Sequence, residues 1–162
     1  MTRGSAWAFA AAAALAILAA PAAFAAGGQT PAPRAAEAAD GELTTAKKAV
    51  EDGDWARAIA LLTRVVGRDT RNADAYNLLG YSYRKSGDFE LALRHYKTAL
   101  GIDPEHRGAH EYIGEAYLET GNLEMAEKHL EALDDICLLG CEEHTELKEA
   151  VEAYRKKHGI GG

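Results

Sequence analysis

The chain has 162 residues, enough for one compact domain and too few for two generous ones. Its 25 Asp and Glu outnumber its 18 Lys and Arg, giving a net charge of −7. Such a balance repels phosphate backbones, so nucleic acid and anionic membrane surfaces are poor partners.

Residues 1–25 read as a secretory signal peptide. Met1 to Gly4 carries one cation, Arg3, and residues 5–20 are apolar apart from Ser5. Pro21 then breaks the helix, and Ala23-Phe24-Ala25 offers small residues around a cleavage point after Ala25. No cysteine follows the apolar run, so no lipid is expected on a new N-terminus. The competing reading is an uncleaved inner-membrane anchor over residues 6–26, since a span needs about 20 apolar residues. Alanine dominates this stretch and the small-x-small site favours cleavage. Both readings put the remainder outside the cytoplasm, which in a Gram-negative bacterium is the periplasm. Cleavage takes away one cation and no acid, so the net charge would move from −7 to −8.

Residues 26–39, AGGQTPAPRAAEAA, mix Gly, Pro and Ala without an apolar period and read as a flexible leader. From Asp40 the pattern changes. Leu43, Ala46 and Val50, then Trp55, Ile59, Leu62 and Val66, recur at helical spacing on two segments broken by Asp52-Gly53-Asp54. This is a first helical hairpin, 39–72. A second, 73–106, has Tyr76, Leu79, Gly80 and Tyr83 on its first helix, Ala92, Tyr96 and Ala99 on its second, and Pro104 at its end. Gly80 and Ala92 leave room for two backbones to approach. A third, 107–140, keeps Ile113, Gly114, Tyr117, Gly121 and Ala126 but has Leu130 in place of a tyrosine. A last helix, Glu142 to His158 within 141–162, carries Leu147, Val151 and Tyr154 as its apolar stripe. Its acids stand first and its cations last, matching the helix dipole, and it is expected to cap the stack.

Gly53-Asp54, Gly87-Asp88 and Gly121-Asn122 stand 34 residues apart, and Ala58, Ala92 and Ala126 repeat the period. With these residues the chain resembles the tetratricopeptide-repeat family. The second unit fits at Tyr76, Leu79, Gly80, Tyr83, Ala92, Tyr96, Ala99 and Pro104. The first departs at Ala46, Glu42 and Thr45. The resemblance implies an all-α, right-handed solenoid of three hairpins plus a cap, whose first helices line a concave groove that receives a partner segment. The family's groove-facing offsets fall on Lys47, on Asn77, Tyr81, Arg84 and Lys85, and on Glu111 and Glu115. Leu43 and Gly108 stand where one subclass carries carboxylate-gripping lysines, so that mode is not supported. These polar side chains have a plainer reading as a solvated face.

Cys137 and Cys141 are the only cysteines. In an oxidising compartment two thiols so close normally pair, stabilising by about 2 kcal/mol. The alternatives are a copper or zinc site formed with His144, or a thiol-redox site. His106 and His110 are four apart, and packing is the reading preferred over metal binding. No nucleophile–base pair, phosphate-cradling loop or zincin motif is present, so no catalytic residue and no cofactor are expected. The leading expectation is an exported, non-catalytic adaptor with another protein or peptide as partner. Metal or redox handling and self-association are its rivals.

Overall fold

The computed structural model describes the backbone of residues 32–161 and the side chains of 41–161. The signal peptide assigned to 1–25 and the first residues of the leader lie outside them. Pro31–Gly162 is one compact unit. Its helices are α1 (Ala32–Glu51), α2 (Trp55–Arg68), α3 (Ala73–Lys85), α4 (Phe89–Ile102), α5 (Arg107–Glu119), α6 (Leu123–Ile136) and α7 (Glu142–His158), with no strand among the described residues. No helix described is long and apolar enough to cross a membrane.

The repeating dipeptides make the turns. Gly53, Gly87 and Gly121 have φ of 71°, 84° and 81°, a region that suits glycine because it has no Cβ. The next residue then starts a helix: the side chains of Asp54, Asp88 and Asn122 accept from the N–H groups of Arg57, Leu91 and Met125. Asn72 and His106 cap α3 and α5 in the same way. The leader expectation needs correcting at its C-terminal end, because residues 32–39 are already helical. Alanine is the strongest helix former, and Pro33 falls in the first turn, where its missing N–H removes no helical bond.

Each hairpin packs its two helices together, and each first helix packs on the next: α1 on α3, α3 on α5, α5 on α7. The second helices reach the following first helix, but their backbones stay farther from one another than those of successive first helices. One row is therefore closely spaced and the other splayed, which curves the stack with α1, α3, α5 and α7 on the inside. α7 takes the place of a fourth first helix. Arg155 on Glu127 (2.9 Å) and His144 on Asp134 (2.8 Å) tie it to α6.

Ala58, Ala92 and Ala126, the period-34 alanines, are all fully buried. A Cβ on Gly80 would meet the Tyr96 ring at 2.7 Å, so the second hairpin closes at that glycine as its sequence suggests. In the first hairpin Glu42 replaces an apolar contact with ion pairs to Arg64 (3.0 Å) and Arg68. The buried side chains form two clusters, one around Leu62 and Leu79 and one around Tyr96, Ile113 and Leu147. Tyr83 packs against both.

The repeat also places an imidazole between two rings in successive hairpins. His95 stacks on Tyr76 and Tyr83; one period later His129 lies against His110 and Tyr117. His110 is thus a packing residue, as expected. Its Nε2–H donates to the Pro104 carbonyl at 3.0 Å, which leaves its Nδ1 to accept from His129 Nδ1–H at 3.0 Å. Burial, then the neighbouring His110 and Lys97, push His129 down to about 4.

Candidate partner-binding face

The residues drawn from the groove offsets divide by burial. Lys47 on α1 and Lys85 on α3 are exposed, and Tyr81 and Glu115 are half-buried. Asn77, Arg84 and Glu111 are only 6%, 5% and 4% exposed. The plainer reading as a solvated face does not hold for these three, because α5 packs on α3 and α7 packs on α5 over positions that an isolated helix would leave wet.

Arg84 organises the centre of the inner face. Its guanidinium pairs with Glu115 at 2.6 Å and Glu119 at 2.7 Å. Its plane also lies 5.4 Å from the Tyr81 ring centre and 5.7 Å from that of Tyr112. The two tyrosines are in contact at 4.9 Å, and Trp55 meets Tyr81 edge-on at 6.0 Å. Lys85 Nζ stands 5.2 Å from the Tyr81 ring. The structure thus brings Tyr81, Arg84, Lys85 and Glu115 into one cluster with Trp55 and Tyr112.

Two further features concern proton and hydrogen-bond balance. Burial, a hydrogen bond to Glu146 and the charges of Glu115, Glu146 and Glu143 push the Glu111 carboxyl up to about 9, so it is protonated near neutral pH. Burial likewise raises the Tyr96 hydroxyl above its ordinary range. Among the described residues, Asn77 Oδ1, Arg84 Nε and Tyr96 Oη are buried side-chain atoms without a hydrogen-bond partner.

Trp55, Tyr112 and Glu119 escaped the sequence reading. Glu119 stands one period after Lys85, so the offset that selected Lys85 also points to it. Trp55 opens a second helix and reaches the face only through the hairpin fold; no spacing signals it.

The Cys137 and Cys141 sulfurs lie side by side, with Cα atoms 5.7 Å apart, within the span a bridge requires. Cys137 closes α6 and Cys141 opens α7. Gly140 between them has φ of 85°, the freedom this bend needs. The third member of the alternative metal set does not join them: His144 is directed at Asp134. Among the described residues no group of three or more His, Cys, Asp or Glu is arranged to hold a metal ion. His106 caps α5 and contacts Asp74 at 3.0 Å, while His110 faces His129, so the two do not form a pair.

The tetratricopeptide repeat profile matches residues 43–104 and 78–137. No curated protein matches the chain. Among solved structures, the Yersinia enterocolitica type III secretion chaperone SycD in complex with a peptide of the translocator YopD is 18% identical, with a TM-score of 0.68 over 75% of this chain and 95% of that one. The Sgt2 domain from Aspergillus fumigatus is 20% identical, with a TM-score of 0.66 over 75% and 79%. The second such domain of human RPAP3, in complex with an HSP70 peptide, is 23% identical, with a TM-score of 0.64 over 72% and 97%. The profile matches fall on the three hairpins described above, span more than half of the sequence and agree with the fold of all three neighbours. The chain belongs to the tetratricopeptide-repeat family.

Proposed function

We propose that this protein is a non-catalytic adaptor of the bacterial cell envelope that holds a segment of a partner protein against the inner face of α3 and α5. The observation that carries this reading is the Trp55–Tyr81–Tyr112 cluster, set beside exposed Lys85 and fixed from beneath by Arg84. Rigid aromatics with a cation at their edge are what interface hot spots contain. Arg84 is already paired twice, so it positions the rings, and Lys85 is the cation offered to a partner. SycD and RPAP3, which share this fold, are each solved with a peptide, which supports a peptide segment as the occupant.

Export to the periplasm rests on the apolar run and small-residue site within residues 1–25. The adjacent sulfurs of Cys137 and Cys141 agree with an oxidising compartment and with a disulfide between them. Cell fractionation with crosslinked affinity capture tests both parts. The protein should be recovered from the envelope, shortened after Ala25, with one partner crosslinked near Tyr81. Recovery from the cytoplasm would overturn the export reading, and crosslinks confined to the outer helices would overturn the groove.

A further inference from the structure

The apex of the loop between α6 and α7 is apolar and fully presented to solvent: Leu138 is 86% exposed and Leu139 102%. Cys137 and Cys141 hold the ends of this loop 5.7 Å apart at Cα, so the two leucines project as a short knob. At the other end of α7 lies a cleft of about 710 Å³, in the size range of ligand pockets. Phe89, Leu118, Ala150, Ala153 and Tyr154 give it mainly apolar walls, and Lys157 stands at its rim. We propose that the Leu138–Leu139 knob of one copy docks in this cleft of a second copy, so that the protein self-associates head to tail.

The chain cannot satisfy its own cleft. Cys141 and Tyr154 are separated along α7 by 13 residues, about 20 Å of helix. Charge selects the occupant. The exposed acids Asp135 and Glu142 flank the knob, beside Asp134 set against His144, and Lys156, Lys157 and His158 close α7 beside the cleft. Glu115 and Glu119 also border the cleft and share the one Arg84 cation, which leaves one net negative charge there against the two cations Lys156 and Lys157. Knob to knob would bring acids together; knob to cleft brings acids to bases. An anionic membrane would repel the knob for the same reason. Stacking through the free face of α7 is disfavoured because Lys148, Glu149 and Glu152 there are exposed and charged. A contact between unlike surfaces leaves one knob and one cleft free in each dimer, so assembly continues to larger species as concentration rises. This contact does not involve Tyr81, and its failure would leave the groove reading untouched.

Sedimentation velocity on the protein in the form its host accumulates is the test, with helicity checked for each variant. The wild type should sediment faster as concentration rises, less so in high salt. Leu138→Asp/Leu139→Asp should remain a monomer, as should Ala153→Glu, which alters an exposed residue of the cleft. An equimolar mixture of the two variants should form a single one-to-one dimer, since each keeps one intact half. A wild type that stays monomeric, variants that associate normally, or a mixture that stays monomeric would each overturn the proposal. So would a leucine variant whose only defect is lost flotation with phosphatidylcholine vesicles, which would assign the knob to a membrane.

Discussion

Leu147 of α7 fills the space that any side chain at Gly114 of α5 would need: a Cβ on that glycine would lie 2.6 Å from Leu147 Cδ2. Leu147 is fully buried, so this contact docks the cap. Leu147→Ala should lower stability by about 2–5 kcal/mol. Gly114→Ala alone should also destabilise, by about 1 kcal/mol after its gain in helix propensity offsets part of the overpacking. In the Leu147→Ala background the same change should stabilise. Denaturant melts of the four proteins check this reversal of sign; additive effects would contradict it.

Arg84 is the second structural pivot. Replacing it strands Glu115 and Glu119 and removes the support under Tyr81 and Tyr112. Breaking such a pair costs about 3–5 kcal/mol, and the lower end applies because both glutamates reach water. Arg84→Glu should be worse than Arg84→Met, which keeps the packing stem. Equal melting temperatures for wild type and Arg84→Glu would show that the pairs contribute nothing.

Much of this architecture is legible in the sequence, and the physical reason is repetition. The glycines at 53, 87 and 121 mark turns that only a positive φ can make, and α7 runs from Glu142 to His158 as its charge gradient implies. The groove-facing offset selects Arg84, but its burial is not legible there because it depends on Glu115 and Glu119 from the next hairpin. An offset rule for one helix cannot see that neighbour. Gly114 reads like Gly80, yet Tyr96 from the same hairpin fills the space beside one and Leu147 from the cap fills the other. The His95 and His129 sandwiches were present in the period all along, through Tyr76 and Tyr83 and their counterparts His110 and Tyr117.

Glu111 and His129 set opposing pH responses. Glu111 is raised from 4.5 to about 9, so the folded state binds the extra proton and stability falls as pH rises through that window. His129 is lowered from 6.5 to about 4, so its contribution is present above pH 6.5 and lost as pH falls toward 4. Between about 4.5 and 6.5 the two oppose each other; above 6.5 Glu111 acts alone. The wild type should therefore melt lower at pH 9 than at pH 6.5. Glu111→Gln should abolish that decline and uncover the loss below pH 6.5 from His129 and from His95, which burial and then Arg94 also lower. Parallel melting profiles for the two proteins would contradict the assignment.

The thiols offer a chemical check. If Cys137 and Cys141 are bridged, the intact mass of the accumulated protein is two hydrogens below the dithiol. Reduction should then lower stability by about 2 kcal/mol, since the closed loop is short. Free thiols in freshly isolated envelope protein would contradict the pairing.

Capture of a partner from the envelope fraction tests the central claim most directly. Wild type should be compared with the inner-face variants Tyr81→Ala and Lys85→Glu and with Arg94→Glu on α4, which alters an exposed, outer-row residue. Wild type and Arg94→Glu should retain the same partner. Lys85→Glu should lose it with melting unchanged, and Tyr81→Ala should lose it with at most a modest drop in stability. Equal recovery by all four proteins would contradict an inner-face binding site.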